Sequence, residues 1–146
     1  VARTFSKAYG MAGLRVGFAV GHPDTIARLA EWRGMDMSTN LPARVGVVAT
    51  LERGGGPIVQ EQARNTGVRE FTRTFFRDAG YEDTDSQANF ILVDIRRSAS
   101  EFRSACVKQG IRIGDGSSLY PNHARITIGT QAEMDRATDV FAAILG

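Results

Sequence analysis

The sequence predicts an α/β protein, and three observations predict it. Short apolar runs with period-two alternation recur along the chain, longer amphipathic runs at helical spacing separate them, and two capping boxes open helices in the second half. The composition agrees: 146 residues, 42% hydrophobic and 23% charged, is the balance of a globular chain that buries roughly 70% of its unfolded surface.

The first predicted strand covers 14–20. Its alternation sets Arg15, Gly17 and Ala19 on one face and Leu14, Val16, Phe18 and Val20 on the other. Gly21-His22-Pro23-Asp24 then turns into a helix over 23–33, with proline at the first helical position and Ile26, Leu29 and Ala30 as the inward stripe. Residues 35–42 read as irregular. An apolar helix over 43–51 stops at Glu52-Arg53-Gly54-Gly55-Gly56-Pro57, the strongest loop signal in the chain. A long amphipathic helix over 58–79 carries Val68, Phe71 and Phe75 on one stripe, ends at Gly80 and reads as a bridge between two packing units.

Residues 89–95 form a core strand. Ser98-Ala99-Ser100-Glu101 opens a helix that buries Phe102, Ala105 and Cys106 before Gly110, with Lys108 as a last-turn cation. Two short strands, 111–113 and 125–128, follow. Thr130-Gln131-Ala132-Glu133 opens a closing helix that turns Met134, Ala137, Phe141, Ile144 and Leu145 inward. Residues 76–146 thus make a small α/β domain. Residues 1–75 are the trailing part of a larger one, because a strand pair and helices cannot alone supply a covered sheet.

Several function classes are excluded at this level. A net charge of +2 with dispersed arginines argues against nucleic acid. No apolar stretch approaches the roughly 20 residues of a membrane span, and no signal-peptide pattern is present, so no membrane partner is expected. A single cysteine, Cys106, rules out an intrachain disulfide and agrees with a cytoplasmic location. His22 and His123 lack companions at ligand spacing, so no metal site is expected.

Lys7 is the residue that points to chemistry. Of eighteen basic residues only Lys7 and Lys108 are lysine, and Lys7 lies in Arg3-Thr4-Phe5-Ser6-Lys7-Ala8-Tyr9-Gly10-Met11-Ala12-Gly13-Leu14-Arg15-Val16-Gly17, an apolar, glycine-rich setting. Arginine stays protonated, whereas a lysine amine can be driven towards neutrality by burial and nearby cations and then attack a carbonyl. Thr4 and Ser6, two apart in an extended stretch, aim their hydroxyls the same way, and Arg15 offers bidentate donors to an anion. Together they describe a nucleophilic amine beside a phosphate cup. On spacing alone a surface lysine and a cluster of turn residues remain the alternative, and the glycines match neither a dinucleotide fingerprint nor a P-loop.

The run Ser6-Lys7-Ala8-Tyr9-Gly10-Met11-Ala12-Gly13-Leu14-Arg15-Val16-Gly17 resembles the cofactor-lysine signature of the class I/II pyridoxal-phosphate aminotransferases, in which Ser-Lys is followed by an aromatic residue, glycines and an arginine eight positions on. Within that superfamily the chain is most similar to the histidinol-phosphate aminotransferase branch. Ser86-Gln87-Ala88-Asn89-Phe90-Ile91-Leu92-Val93, Gln109-Gly110-Ile111-Arg112-Ile113 and Ala124-Arg125-Ile126-Thr127-Ile128-Gly129-Thr130 carry that similarity, which extends over essentially the whole chain.

The resemblance implies the C-terminal part of a fold type I transferase. Residues 1–75 are then the remnant of the large pyridoxal-phosphate-binding domain with its bridging helix, and residues 76–146 the small domain. It implies transfer of an amino group between an amino acid, or a histidinol-phosphate-like amine, and a 2-oxo acid. Lys7 carries the Schiff base with pyridoxal 5'-phosphate and moves the substrate proton, while Arg15, Ser6 and Thr4 hold the cofactor phosphate.

Arg125, ahead of Ile126-Thr127-Ile128-Gly129-Thr130, clamps the substrate carboxylate on a rigid strand; spacing alone leaves it a strand-edge surface arginine. Histidinol-phosphate enzymes place an arginine for the substrate phosphate where this chain has Gly114; Arg112, two positions earlier, shares that strand face and is the candidate here. Tyr9 and Asn89 line the site, with loop packing and backbone tying as their respective alternatives. The implied enzyme is a homodimer. Residues that the family carries upstream of the lysine strand are absent, so the resemblance implies a fragment that is inactive in isolation. A pyridoxal-phosphate decarboxylase of a phosphorylated amino acid and a non-catalytic anion-binding module stay open as alternatives.

Overall fold

The computed structural model describes residues 1–32 and 39–146. The chain gathers into two compact units, Val1–Gln62 and Ala63–Gly146. The division falls inside a helix, earlier than the boundary expected after residue 75, because Val68, Thr72 and Phe76 all belong to the buried interior of the second unit.

In the first unit, β1 (Ala2–Thr4) and β2 (Gly17–Ala19) pair antiparallel, with Ala2 opposite Ala19 and Thr4 opposite Gly17. A Cβ at Gly17 would lie 2.5 Å from the Arg3 carbonyl oxygen, so only glycine allows the two backbones this close. The strand expected over 14–20 is therefore shorter. Ala12–Leu14 form a 3₁₀ turn, and Arg15 ends it at φ 52°, in the left-handed region where no strand can run. The alternation that set Arg15 on one face with Gly17 and Ala19 does not reach it.

Helix α1 (Pro23–Glu31) starts with proline in its first turn, as expected. Its stripe of Ile26, Leu29 and Ala30 was expected to be buried; instead Leu29 and Ala30 are exposed and Ile26 is half-buried. The stripe lines an open hollow with Gly17, Phe18 and Ala19, where the glycine and the alanine lack the bulk to fill the space. Helix α2 (Leu41–Glu52) is capped by Asn40, whose Oδ1 accepts from the Ala43 amide at 2.8 Å and whose Nδ2 donates to the Leu14 carbonyl at 3.1 Å. Of the irregular stretch expected over 35–42, residues 35–38 lie outside the described residues, and Leu41 and Pro42 form the first turn of α2.

Helix α3 (Gly56–Asp78) ends in a Schellman turn: the Tyr81 amide donates to the Phe76 carbonyl at 2.8 Å and the Gly80 amide to Arg77 at 2.9 Å. Its buried line is Val68, Thr72 and Phe76 with Arg69; of the expected stripe Val68 is buried and Phe75 packs half-buried on the core, but Phe71 is 38% exposed. Hydrogen bonds make that line possible, one within the helix and one to a distant carbonyl. Thr72 Oγ1 donates to the Val68 carbonyl at 2.8 Å, and Arg69 Nη1 donates to the Ala88 carbonyl at 3.1 Å.

The second unit is built on a three-stranded antiparallel sheet ordered β3 (Glu82–Asp83), β4 (Phe90–Asp94), β5 (His123–Thr127). Ile91, Val93, Ala124 and Ile126 enter a core with Phe102 and Cys106 of α4 (Ala99–Lys108) and Met134, Ala137 and Phe141 of α5 (Gln131–Leu145). The Phe141 ring lies 5.7 Å from Phe76 and 5.5 Å from Phe102, so truncating it to alanine would cost about 3–5 kcal/mol. Burial also pushes the Cys106 thiol up to about 11.

Of the two expected capping boxes only the one at Thr130 is reciprocal; Ser98 caps α4 with a single bond from the Glu101 amide. The strand expected over 111–113 does not form. Ile111 and Ile113 pack on the core, but among the described residues the backbone tie to β5 is the Gly114 amide donating to the Arg125 carbonyl at 3.0 Å.

Candidate active site

The lysine loop is built by the hairpin. Beyond the pair Thr4–Gly17, the Phe5 amide donates to the Val16 carbonyl at 3.2 Å, so Ser6 and Arg15 follow at the same end of the ladder. The loop is closed by the Met11 amide on the Phe5 carbonyl at 2.9 Å and by the Gly10 amide on the Lys7 carbonyl at 2.8 Å, with Gly10 at φ 69°. Phe5 is its anchor. It is 3% exposed, with the Tyr9 ring 4.7 Å and the Phe18 ring 5.9 Å from its own.

On this frame the Thr4 and Ser6 hydroxyls meet. Thr4 Oγ1 donates to Ser6 Oγ at 2.9 Å and accepts from the Ser6 amide at 3.0 Å, the shared direction expected from their spacing. Arg15 is exposed, and its Nη1 donates to the Ala12 carbonyl at 2.8 Å, which leaves its other N–H groups available. Lys7 is exposed rather than enclosed, and its amine has no partner among the described residues. Residues 1–23 contain three cationic side chains, Arg3, Lys7 and Arg15, and no carboxylate. Tyr9 packs its ring on Phe5, the loop packing named as its alternative.

Arg125 belongs to the second unit and lies where alternation placed it. Ala124 and Ile126 are buried, and Arg125 stands on the opposite face of β5, half-buried. Its guanidinium carbon lies 4.2 Å from the centre of the Phe90 ring, and its N–H donors meet no protein acceptor among the described residues. In the same unit, Asp115 pairs with Arg103 at 2.8 Å and Asp94 accepts from the Arg96 amide at 2.9 Å.

Asn89 is half-buried and its carbonyl accepts from the Ile128 amide at 2.9 Å, the backbone tie named as its alternative. Arg112 is exposed and borders a cavity of about 380 Å³ with Arg136, Glu133 and Thr127, a cavity that Arg125 does not line. Sequence reasoning missed Phe90 and the anchored loop before it, where Ala88 is held by Arg69 and by the Ser86 hydroxyl. Phe90 follows Asn89 directly, but its contact with Arg125 depends on the β4–β5 register. No group of three His, Cys, Asp or Glu among the described residues is placed to hold a metal, and no described helix is long and apolar enough to cross a membrane.

Known proteins share this architecture. Residues 1–141 match the family profile of aminotransferase class I and II. An aromatic amino acid aminotransferase of Mycobacterium avium is 39% identical over 137 residues, covering 92% of this chain and 37% of that protein. A histidinol-phosphate aminotransferase of Bacillus subtilis is 31% identical over 146 residues, covering 99% of this chain and 40% of that protein. The crystal structure of histidinol-phosphate aminotransferase from Sinorhizobium meliloti, in complex with pyridoxal-5'-phosphate, matches with a TM-score of 0.78 at 27% identity, over 99% of this chain and 40% of that one. The chain therefore spans 37–40% of the length of these relatives, and the expected α/β fold, part of a fold type I transferase, is borne out. The chain belongs to the aminotransferase class I and II family.

Proposed function

We propose that the protein carrying this chain is a pyridoxal-phosphate-dependent aminotransferase that moves an amino group between an amino acid and a 2-oxo acid, with Lys7 as its catalytic residue. The observation that carries the reading is the lysine loop: an exposed, unpartnered amine follows a bonded pair of hydroxyls in a stretch free of carboxylates. That donor set suits a phosphate monoester bearing an aldehyde. Two hydroxyls and a guanidinium bind the phosphate by charge-assisted hydrogen bonds, and no acidic side chain of the stretch competes.

When bound, pyridoxal phosphate supplies the ring that takes up the electron pair released at the substrate Cα. Lys7 Nζ would hold the cofactor at its aldehyde carbon, with loss of water, and when free would take the proton from the substrate Cα and return it as an acid. Thr4, Ser6 and the uncommitted N–H groups of Arg15 hold the phosphate in place. Arg125 takes the substrate carboxylate on its two parallel donors, an orientation that a point-charge lysine would not impose. Tyr9 and Asn89 serve as lining residues and Arg112 as an outer cation for substrates bearing a second anion. Family resemblance also supports a homodimer whose isolated 146-residue portion is inactive, and the lone buried Cys106 agrees with the cytoplasm.

The test is borohydride reduction of the cofactor-loaded enzyme followed by peptide mapping. The reduced label falls on Lys7, and Lys7→Arg lowers turnover by about 10⁴-fold, the upper end of what a positioned acid–base contributes. A label on another lysine sinks the assignment. Turnover by the isolated 146 residues would refute their inactivity.

A further inference from the structure

The Arg125 guanidinium is held by two features that no ligand chemistry requires. One is Phe90. In the β4–β5 register Leu92 stands opposite Arg125 and Phe90 opposite Thr127, so Phe90 is the diagonal neighbour of Arg125 on the face away from the core. The guanidinium carbon rests 4.2 Å from its ring centre. The other is Gly114. Its amide donates to the Arg125 carbonyl at 3.0 Å, and a Cβ there would come within 3.0 Å of Arg125 Nη1 and 3.2 Å of both Cγ and the carbonyl oxygen. The last contact is with strand backbone and cannot be relieved by a rotamer change. The Arg125 side chain therefore lies against Gly114, where any Cβ would force it or the strand backbone to shift by a few tenths of an ångström.

How a guanidinium is held decides what it can still bind. An ion pair with a protein carboxylate would occupy the in-plane N–H donors that a substrate needs. Contact with an aromatic face uses the π surface of the cation and leaves those edge donors open. That is the state observed: ring contact on Phe90 and no protein acceptor among the described residues.

We propose that Phe90 and Gly114 are positioning residues, which together fix the Arg125 fork in register for a substrate carboxylate without consuming its donors. This deepens the preceding reading and rests on Arg125 being the carboxylate clamp. In this chain a Cβ at residue 114 would press on the Arg125 side chain and its carbonyl, so the glycine leaves the fork where it is seen.

The experiment uses the complete enzyme with L-phenylalanine and L-glutamate as amino donors, and replaces Phe90 by mono-, di- and pentafluorinated phenylalanine. These analogues keep the ring's shape and progressively drain its π face. KM for the donor rises stepwise to about tenfold while kcat stays within about twofold, and Phe90→Tyr retains the parent KM. Gly114→Ala raises KM by about tenfold in the same pattern. Arg125→Ala is the control and raises KM by about a hundredfold.

A flat KM across the fluorinated series, with Arg125→Ala still damaging, overturns the positioning role alone. Equal losses in kcat, KM and thermal stability would reduce Phe90 to packing and overturn it as well. An unchanged KM in Arg125→Ala, or turnover of neither donor, removes the carboxylate reading and this inference with it. If Gly114→Ala fails to fold, the fluorinated series still decides.

Discussion

Arg15 combines two properties that pull in opposite directions. Its backbone sits at φ 52°, where an L-residue carries about 1–2 kcal/mol of strain, yet its guanidinium is the proposed phosphate donor. Arg15→Gly removes the strain but returns about 0.5–1 kcal/mol of chain entropy to the unfolded state, so the melting temperature should move little. Pyridoxal-phosphate affinity should nonetheless fall by about ten- to a hundredfold, as expected for losing hydrogen bonds to a charged group. Calorimetry and a cofactor titration on the same variant separate the two; unchanged affinity would remove Arg15 from the phosphate site. The sequence made Arg15 legible as a donor but not its conformation. Period-two alternation of Leu14, Val16 and Phe18 imitates a strand, whereas the 3₁₀ turn at Ala12–Leu14 that displaces it has no comparable signature. Arg69 was illegible for a similar reason, since nothing local announces that its partner is a carbonyl nineteen residues away.

At the level of elements, capping chemistry did most to place the helices. The Thr130 box is reciprocal: Glu133 Oε2 accepts from the Thr130 amide at 2.7 Å and from its hydroxyl at 2.9 Å, and the Thr130 hydroxyl accepts from the Glu133 amide at 3.3 Å. The Thr130 amide, then its hydroxyl, holds the Glu133 carboxyl below its ordinary range. A depressed folded value contributes stability that is present above the unfolded value and is lost as pH falls through the folded one. Melting temperature should therefore drop from about pH 5 downwards, and Glu133→Gln should flatten that slope and lower melting near neutrality towards the parent's acid value. An identical acid slope in the variant would dismiss the box as its source. Strands were harder to place because pairing is non-local. Ile111 and Ile113 show the right alternation, but a ladder needs repeated backbone bonds to a neighbouring strand, and among the described residues a single bond at Gly114 forms. Helix α3 was placed correctly in length and only partly in phase. Phe71 and Phe75 outweigh Thr72 on any hydrophobicity scale, yet Thr72 satisfies itself on the Val68 carbonyl and takes the buried position.

Across the whole molecule, stability is concentrated in one unit. The apolar cluster from Val68 to Leu145 lies entirely within Ala63–Gly146, whereas Phe5 and Ala43 are the only buried apolar side chains described in the first unit. Residues 63–146 alone should fold and melt in one cooperative transition, with an enthalpy near 0.7 kcal/mol per residue at about 60 °C; residues 1–62 alone should not. Circular dichroism and calorimetry on the two pieces test this, and a cooperative transition in the shorter one would contradict it. The sequence anticipated the asymmetry, because the capping boxes and core strands cluster after residue 76, but not that the end of α3 would join the second unit. Cys106 gives this concentration of stability a temporal meaning. It is the sole cysteine, fully enclosed in that core, and its thiol is held in the unreactive form to about pH 11. A thiol reagent at neutral pH can reach it only in molecules whose second unit has opened, and each opening can be recorded once, irreversibly. The chain thus carries an internal clock, in which the rate of Cys106 modification counts openings of the unit that holds Arg125.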